Sequence, residues 1–351
     1  MAKSVLKKSP RKPPAVAPQN TQYDMFTNFL GDTKDLSNTI ELWDAIPKYA
    51  VLPRQQNALR DEKGRLPVHE HRFQYNPTYA DKPRPISCKV TVRPASIKDG
   101  EGGYTDFYPS TDEELIEEVI KKIFSDQHFG AHVPEKTESW VRFSLYMIQK
   151  ELKLRGKTRS IDQIKRSLDI LSYSVYEVEL SNETRNLVYT NPILSDLTRT
   201  TRQDYLDDPS SMWCARLPAL ISKSVNELSY RQFNYGTLMK LSTPLARWFY
   251  RRLTHNYTQA DILGSYDILH SSVARDSRLL THPRMSRNIK DVCAALQELQ
   301  DEEVLLAFKF EQRLDGRKIT DVYYHMHPTP NFVREVKAAN ARNRDDRKRL
   351  R

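Results

Sequence analysis

Residues 160–180 read SIDQIKRSLDILSYSVYEVEL, and the hydrophobic period changes part-way through. Ser160 is an N-cap residue type, and Ile161, Ile164, Leu168 and Leu171 then recur at helical spacing. From Val175 the alternation is that of a strand. The polar loop SNETR (181–185) separates it from a second strand-like run, NLVYTNPIL (186–194). Upstream, STDEELIEEVIKKIF (110–124) opens with a capping hydroxyl and first-turn acids, and places Leu115, Ile116, Val119, Ile120 and Ile123 on one stripe. WVRFSLYMIQKELKL predicts a further helix over about 139–154, with Phe143 and Leu152 inward, ended by Arg155-Gly156-Lys157. Helix, helix, turn, helix and a two-stranded ribbon is the order of a winged helix-turn-helix.

The order recurs. STPLARWFYRRLTH (242–255) and GSYDILHSSVA (264–274) predict two helices, and a third spans 284–301. Strands VLLAFKF and ITDVYYHMH follow, joined by the turn LDGRK. The two third helices align without a gap at an offset of 125, QIKRSLDIL over NIKDVCAAL, so that Ile164 falls on Ile289. The matched element order around them makes duplication the better reading. The expected fold is α+β: tandem winged-helix domains over 86–215 and 216–330, with flexible basic tails at both ends. Residues 1–37 read as a disordered tail and 331–351 as a basic C-terminal tail. The Pro-dotted stretch 38–85 reads as an arm.

The chain is 351 residues long, with 28% charged residues and a formal charge of +10. Mean hydropathy is −0.68. No apolar run approaches the roughly 20 residues of a membrane span, and no apolar stretch follows the basic N-terminus as in a secretory signal. Cys88, Cys214 and Cys293 are scattered and odd in number, which fits a reducing cytoplasm and argues against a disulfide framework or a Cys-based zinc site. The positive excess sits in the two tails, and 14–333 is formally neutral. Within that body, 142–166 holds eight Lys/Arg against two acids, whereas 99–118 holds eight acids and no base. Such segregation suits a surface that faces phosphate.

In a helix-turn-helix the third helix buries one stripe and offers its opposite face to the major groove. The first unit then presents Arg159, Ser160, Gln163, Arg166 and Ser167, and the second Arg284, Ser286, Arg287, Asn288 and Lys290. Arg pairs with guanine, Gln and Asn with adenine, and Ser with phosphate or base edges. Arg313, Arg317 and Lys318 in the LDGRK region are candidate wing contacts to phosphate. His325-Met326-His327 has the His–hydrophobic–His form used by rolling-circle nicking enzymes to hold a divalent metal. No Tyr follows Tyr324 to act as nucleophile, and no acidic cluster accompanies the pair. A P-loop and a Gly-rich dinucleotide loop are both lacking from the sequence. The expectation is a DNA-binding protein without enzymatic activity, metal or cofactor.

Two stretches resemble the TrfA-type replication initiators of iteron-bearing plasmids. KLSTPLARWFYRRLTH (240–255) is similar to the family's K-L-S-x-x-A-R segment: Lys240, Leu241, Ser242, Ala246 and Arg247 match around a one-residue insertion. IELWDAIPKYAVLPRQQNAL (40–59) is similar to the family's pre-domain segment, which carries a Q-L-x-L-F-D peptide that binds the sliding clamp. Leu42, Trp43 and Asp44 stand at its Leu, Phe and Asp, Ile40 at its first Leu, and Thr39 at its Gln. The resemblance covers roughly 38–330. It implies two winged helices behind a flexible N-terminal region, binding to directly repeated origin sites in double-stranded DNA, and opening of an adjacent A·T-rich segment. It also implies helicase loading alongside a host initiator, with Ile40, Leu42, Trp43 and Asp44 docking on the clamp from an exposed arm. A cytoplasmic, nucleoid- or plasmid-associated location is expected, with no membrane partner and the choice of monomer or homodimer open. The alternatives are a winged-helix repressor or partition-type DNA-binding protein, and a metal-dependent nicking endonuclease using His325 and His327.

Overall fold

The computed structural model describes residues 35–77, 85–98, 100, 102–126, 128–181, 186–207 and 211–349. Residues 1–34 of the expected N-terminal tail lie outside the described residues. The described chain is a mixture of helices and antiparallel sheets whose buried apolar side chains form one connected cluster.

The chain enters as strand β1 (Leu36–Ile40), a short helix α1 (Glu41–Ala45) and helix α2 (Pro53–Leu59). Strands β2 (His69–Tyr75) and β3 (Ile86–Arg93) follow, then a hairpin of β4 (Ala95–Lys98) and β5 (Tyr104–Phe107). Helix α3 (Thr111–Phe124) starts where its capping signal predicts: the Glu113 carboxylate accepts the Ser110 N–H at 2.9 Å and the Ser110 hydroxyl closes the reciprocal capping box. After β6 (Gly130–Val133), the helix predicted over 139–154 is divided in two. Glu138–Phe143 forms strand β7, and only Leu145–Leu154 is helical, as α4. Val141 and Phe143 alternate with the less buried Trp140 and Arg142, which is a strand's pattern, and Ser144 caps the helix by accepting the Met147 N–H. Helix α5 (Ile161–Tyr173) leads into β8 (Val175–Ser181) and β9 (Asn186–Pro192).

Here the arm expectation for 38–85 is corrected. Strands β2, β3, β8 and β9 form one antiparallel sheet in that order, with Val90 paired to both His71 and Val178. The sparse apolar residues of β2 alternate, His71 and Phe73 facing in, and this short alternation between prolines is easily lost in a linker-like composition.

The connection to the second half carries β10 (Ser195–Thr198), α6 (Arg202–Asp207), β11 (Trp213–Arg216), α7 (Ala219–Asn226), β12 (Tyr230–Asn234) and α8 (Tyr235–Lys240). WCARLPALIS, which reads as a strand, turns at Pro218 from β11 into α7. The second half then runs α9 (Pro244–Asn256), β13 (Tyr266–Leu269), α10 (His270–Ser277), α11 (Met285–Asp301), β14 (Leu305–Asp315) and β15 (Lys318–Pro328). The helix predicted over 264–274 gives its first part to β13, which pairs with β15. The flexible C-terminal tail expected over 331–351 is also corrected. Pro330–Arg349 is helix α12, with Phe332, Val333, Val336 and Ala339 buried along one stripe and Asn343 Nδ2 donating to the Leu228 and Tyr230 carbonyls at 3.1 Å.

The acids of α3 do not face solvent as their segregation from the basic stretch suggests. Glu113, Glu114, Glu117 and Glu118 are all buried. Arg247 on α9 is 0% exposed and binds Glu114 through Nε at 2.9 Å and Nη2 at 2.6 Å, while its Nη1 donates to the Leu241 and Ser242 carbonyls. Arg251, one turn further, bridges Glu114 (2.7 Å) and Glu118 (3.0 Å). Lys121 joins Glu118 and Asp44, each at 2.8 Å, and Lys48 reaches Glu117 at 3.2 Å. Four carboxylates (Asp44, Glu114, Glu117, Glu118) thus meet four cations (Lys48, Lys121, Arg247, Arg251), and the interface between the halves is formally neutral. Burial pushes the Glu114 carboxyl up, but Arg247 and Arg251 outweigh it and hold the group at about 2.

Removing one member leaves a buried charge without its partner. Arg247→Met is expected to lower the unfolding free energy by about 3–5 kcal/mol in urea titrations. Adding Glu114→Gln should recover part of that loss, because Arg251 keeps Glu118; strictly additive losses would count against the interlock. Buried titratable groups also set a pH dependence. Burial holds His255 at about 3, and burial with the neighbouring His69 holds His71 at about 3. Both are neutral in the fold and charge on unfolding, so their contribution is complete above their ordinary value of 6.5 and is lost as pH falls toward 3. Stability should drop on acidification by up to about 1.4 kcal/mol per pH unit for each histidine. Glu114 adds to the loss below its ordinary 4.5. Chemical denaturation between pH 7 and 4 measures the slope.

Candidate nucleic-acid interface

In the first half, α3, α4 and α5 pack together and the β8–β9 hairpin follows. Ser160 caps α5 in a closed box: its hydroxyl accepts the Gln163 N–H at 3.2 Å, and Gln163 Oε1 accepts the Ser160 N–H at 2.8 Å. Both side chains remain exposed, and each keeps a donor for an outside acceptor. Arg159 is half-buried, with Nη2 on Asp112 at 2.6 Å. Arg166 is exposed, but its guanidinium lies 4.4 Å from the Phe107 ring centroid, and Arg60 lies 5.1 Å from the same ring. The β4–β5 hairpin therefore flanks the outer face of α5. No sequence signal announces that contact, because it joins residues far apart in the chain.

One expectation here is corrected. Ser167 is buried and donates to Glu113 Oε1 at 2.6 Å, so it belongs to the α3–α5 contact and not to the solvent face. Serine fits either face of a helix, and the buried carboxylate one helix away decides which it takes.

The second half presents its donors more freely. Arg284, Ser286, Arg287 and Lys290 are exposed at the start of α11, whose first turn carries no acid. They carry no ion pair among the described residues. The N-terminal amides of α11 add their positive end to this cluster. Asn288 is the second correction: it is buried, its Oδ1 accepting the His282 N–H at 3.0 Å and its Nδ2 donating to the His282 carbonyl at 2.9 Å. It thereby holds the loop before α11. Strands β14 and β15 project as a long hairpin closed by Gly316-Arg317, with Gly316 at φ +59°, a left-handed conformation that favours glycine. Arg313, Arg317 and Lys318 are exposed near its tip.

The clamp-peptide expectation fails on exposure. Ile40 and Trp43 are 1% and 2% exposed. Strand β1 pairs with β12, and Trp43 Nε1 and the Tyr49 hydroxyl both donate to Glu117. Asp44 accepts from Thr39 Oγ1 and the Ile40 N–H, each at 2.7 Å, and Thr39 Oγ1 also meets His255 Nε2 at 2.8 Å. Leu42 is half-buried. These residues mortar the two halves together, and their side chains are not free to dock in a partner's groove in this conformation. His325 Nδ1 lies 3.0 Å from Asp267 Oδ1, and His327 pairs across from Ala307. Among the described residues, no group of three or more His, Cys, Asp or Glu side chains could hold a metal ion, and no helix is long and apolar enough to cross a membrane.

The sequence matches no family model and no curated protein. Among solved structures, a selenomethionine crystal structure of domains 2 and 3 of RctB is similar at a TM-score of 0.46 and 11% identity, over 81% of this chain and 99% of that one. A second structure of RctB domains 2–3 gives 0.42 and 10%, over 81% and 98%. The Pi initiator protein in complex with iteron DNA gives 0.36 and 11%, over 86% and 100%. At such values the overlays decide neither fold nor activity.

The corrected placements carry a direct test. Ser167→Ala and Asn288→Ala should each destabilise the chain by about 1–3 kcal/mol, since each leaves buried polar groups unpaired. Titrated against any nucleic acid that the wild type binds, the folded variants should retain its affinity. A loss of binding at unchanged stability would return these side chains to the interface.

Proposed function

We propose that the chain is a sequence-specific, non-enzymatic replication initiator that binds directly repeated origin sites through two winged helix-turn-helix units. The reading is carried by one observation: a three-helix-and-hairpin order occurs twice, and in the second unit Arg284, Ser286, Arg287 and Lys290 stand exposed at the acid-free start of its third helix. In this reading α11 is the principal major-groove reader, because its donors are uncommitted, while the side chains of α5 are largely engaged by Asp112, Phe107 and the cap. Arg313, Arg317 and Lys318 reach phosphate from the wing. The rigid packing of the two units sets one spacing between the helices, which suits a repeat read on successive major-groove segments. Opening of an adjacent A·T-rich segment and recruitment of a host initiator and replicative helicase complete the proposal.

Selection of bound duplexes from a random library, followed by anisotropy titration, tests the recognition step. Arg287→Ala should lose about 1–3 kcal/mol on the selected site and much less on random duplex. Equal loss on both would make Arg287 a phosphate contact. Permanganate reactivity beside tandem copies of the site separates initiation from repression: unreactive thymines would leave a repressor that binds without opening.

A further inference from the structure

The second hairpin has an open side. The three-stranded sheet runs β13–β15–β14, so β14 is an edge strand along its whole length, and Lys309–Lys318 is exposed throughout. Its two faces differ. Lys309, Glu311, Arg313 and Asp315 alternate in sign along one face, while Phe310 and Leu314, 43% and 59% exposed, flank Gln312 on the other. Long, exposed edges with apolar residues are templates for strand addition.

We propose that β14 pairs antiparallel with β14 of a second copy of this chain, in the register centred on Gln312. A two-residue turn closes on the Asp315–Lys318 pair, which exchanges hydrogen bonds within the hairpin. The register shifts between Arg313 and Leu314, but the extra residue, Thr320, lies on β15, so β14 keeps its alternation. Its odd-numbered residues direct their peptide groups toward β15, and Phe310, Gln312 and Leu314 direct theirs outward. A two-fold axis through Gln312 places those outward groups in hydrogen-bonding register, Phe310 against Leu314 and Gln312 against itself. On the other face it sets Lys309 opposite Asp315 and Glu311 opposite Arg313, each pair occurring twice by symmetry. Opposite charges in these closely spaced positions attract, and like charges repel.

Neighbouring registers do less well. Centring on Phe310 keeps Lys309 opposite Glu311 but sets Arg313 against Ala307, and centring on Leu314 carries Lys309 past the turn to Ile319. The self-complementary charge pattern selects a second copy over an unrelated strand. Arg313 also belongs to the proposed DNA-facing set, so the two uses exclude one another, and the test is made without DNA.

Sedimentation velocity of the full chain across a concentration series reads the association. The wild type should dimerise reversibly, and more weakly as salt rises. Glu311→Arg faces Arg313 twice across the axis and should weaken the dimer about tenfold or more. The double variant Glu311→Arg/Arg313→Glu exchanges the partners and should return to within about threefold of wild type. Gln312→Pro, which removes the central outward N–H without altering charge, should also weaken it. All three positions are exposed, and circular dichroism checks that each variant folds. A wild type that stays monomeric overturns the proposal. So does association unmoved by Glu311→Arg, which would place the contact elsewhere or with another strand, and so does a charge swap that fails to rescue.

Discussion

The fold depends on the buried contact between Glu114 on α3 and Arg247 on α9. Two charges that leave water must recover several kcal/mol each from their partners, and they do so only at good geometry. Arg247 meets that demand by spending all three nitrogens, two on Glu114 and one on the carbonyls that end α8 and precede α9. Arg251, Glu118, Lys121, Asp44, Lys48 and Glu117 extend the contact into a neutral chain of ion pairs from α9 through α3 to the N-terminal segment. A slip of α9 along α3 by one turn, about 5.4 Å, would strand at least one buried carboxylate. An apolar seam would tolerate such a slip far better. The two halves are therefore locked in register as well as held together.

That lock bears on anything read by α5 and α11. Each is the third helix of its three-helix unit, and each packs directly on that unit's first: α5 on α3, with Ser167 bonded to Glu113, and α11 on α9, with Glu298 holding the Ser242 and Thr243 hydroxyls at 2.7 Å. The path from one reading helix to the other runs through polar contacts of fixed geometry. Its midpoint is the α3–α9 ion network. The region around Gly236 adds a second tie, since a Cβ there would lie 2.8 Å from Asp35 Oδ1, whose carboxylate pairs with Arg155 at the end of α4.

How much of this could be read from the sequence divides along one line. Helices α3, α5 and α9 announce themselves by an N-cap hydroxyl and an apolar stripe, and α11 by its stripe, because these are local signals that neighbours in the chain complete. The exposed donors of α11 follow from the same stripe. What could not be read is polar burial. Glu113, Glu114, Glu117 and Glu118 have the spacing of a solvated face, and partners far along the chain (Ser167 for Glu113, Arg247 and Arg251 for Glu114, Lys48, Trp43 and Tyr49 for Glu117, Arg251 for Glu118) take them inside. Ser167 and Asn288 fail for the same reason: a short polar side chain turns inward when a distant carboxylate or a loop carbonyl offers a better partner than water. The segment from Ile40 to Val51 carries its apolar residues without periodicity, so its burial is decided entirely by the groove that the two halves leave for it.

The clamp-peptide likeness sharpens that point. Thr39, Ile40, Leu42, Trp43 and Asp44 look like a docking peptide because an aromatic, an aliphatic and an acid at short spacing are what a groove on a partner needs. The same grouping serves as well for a groove within the molecule. Here Asp44 closes on the Thr39 hydroxyl and Ile40 amide, and Lys121 and Lys48 neutralise it. Trp43 lies under the Lys48 ammonium, 4.1 Å from its ring centroid, with its indole N–H on Glu117. Extracting the segment would expose Ile40 and Trp43, take Trp43, Lys48 and Tyr49 from the buried Glu117, and leave Lys121 with Glu118 alone. Presentation to an outside partner therefore requires the α3–α9 network to open, and the stability of that network sets how rarely it does.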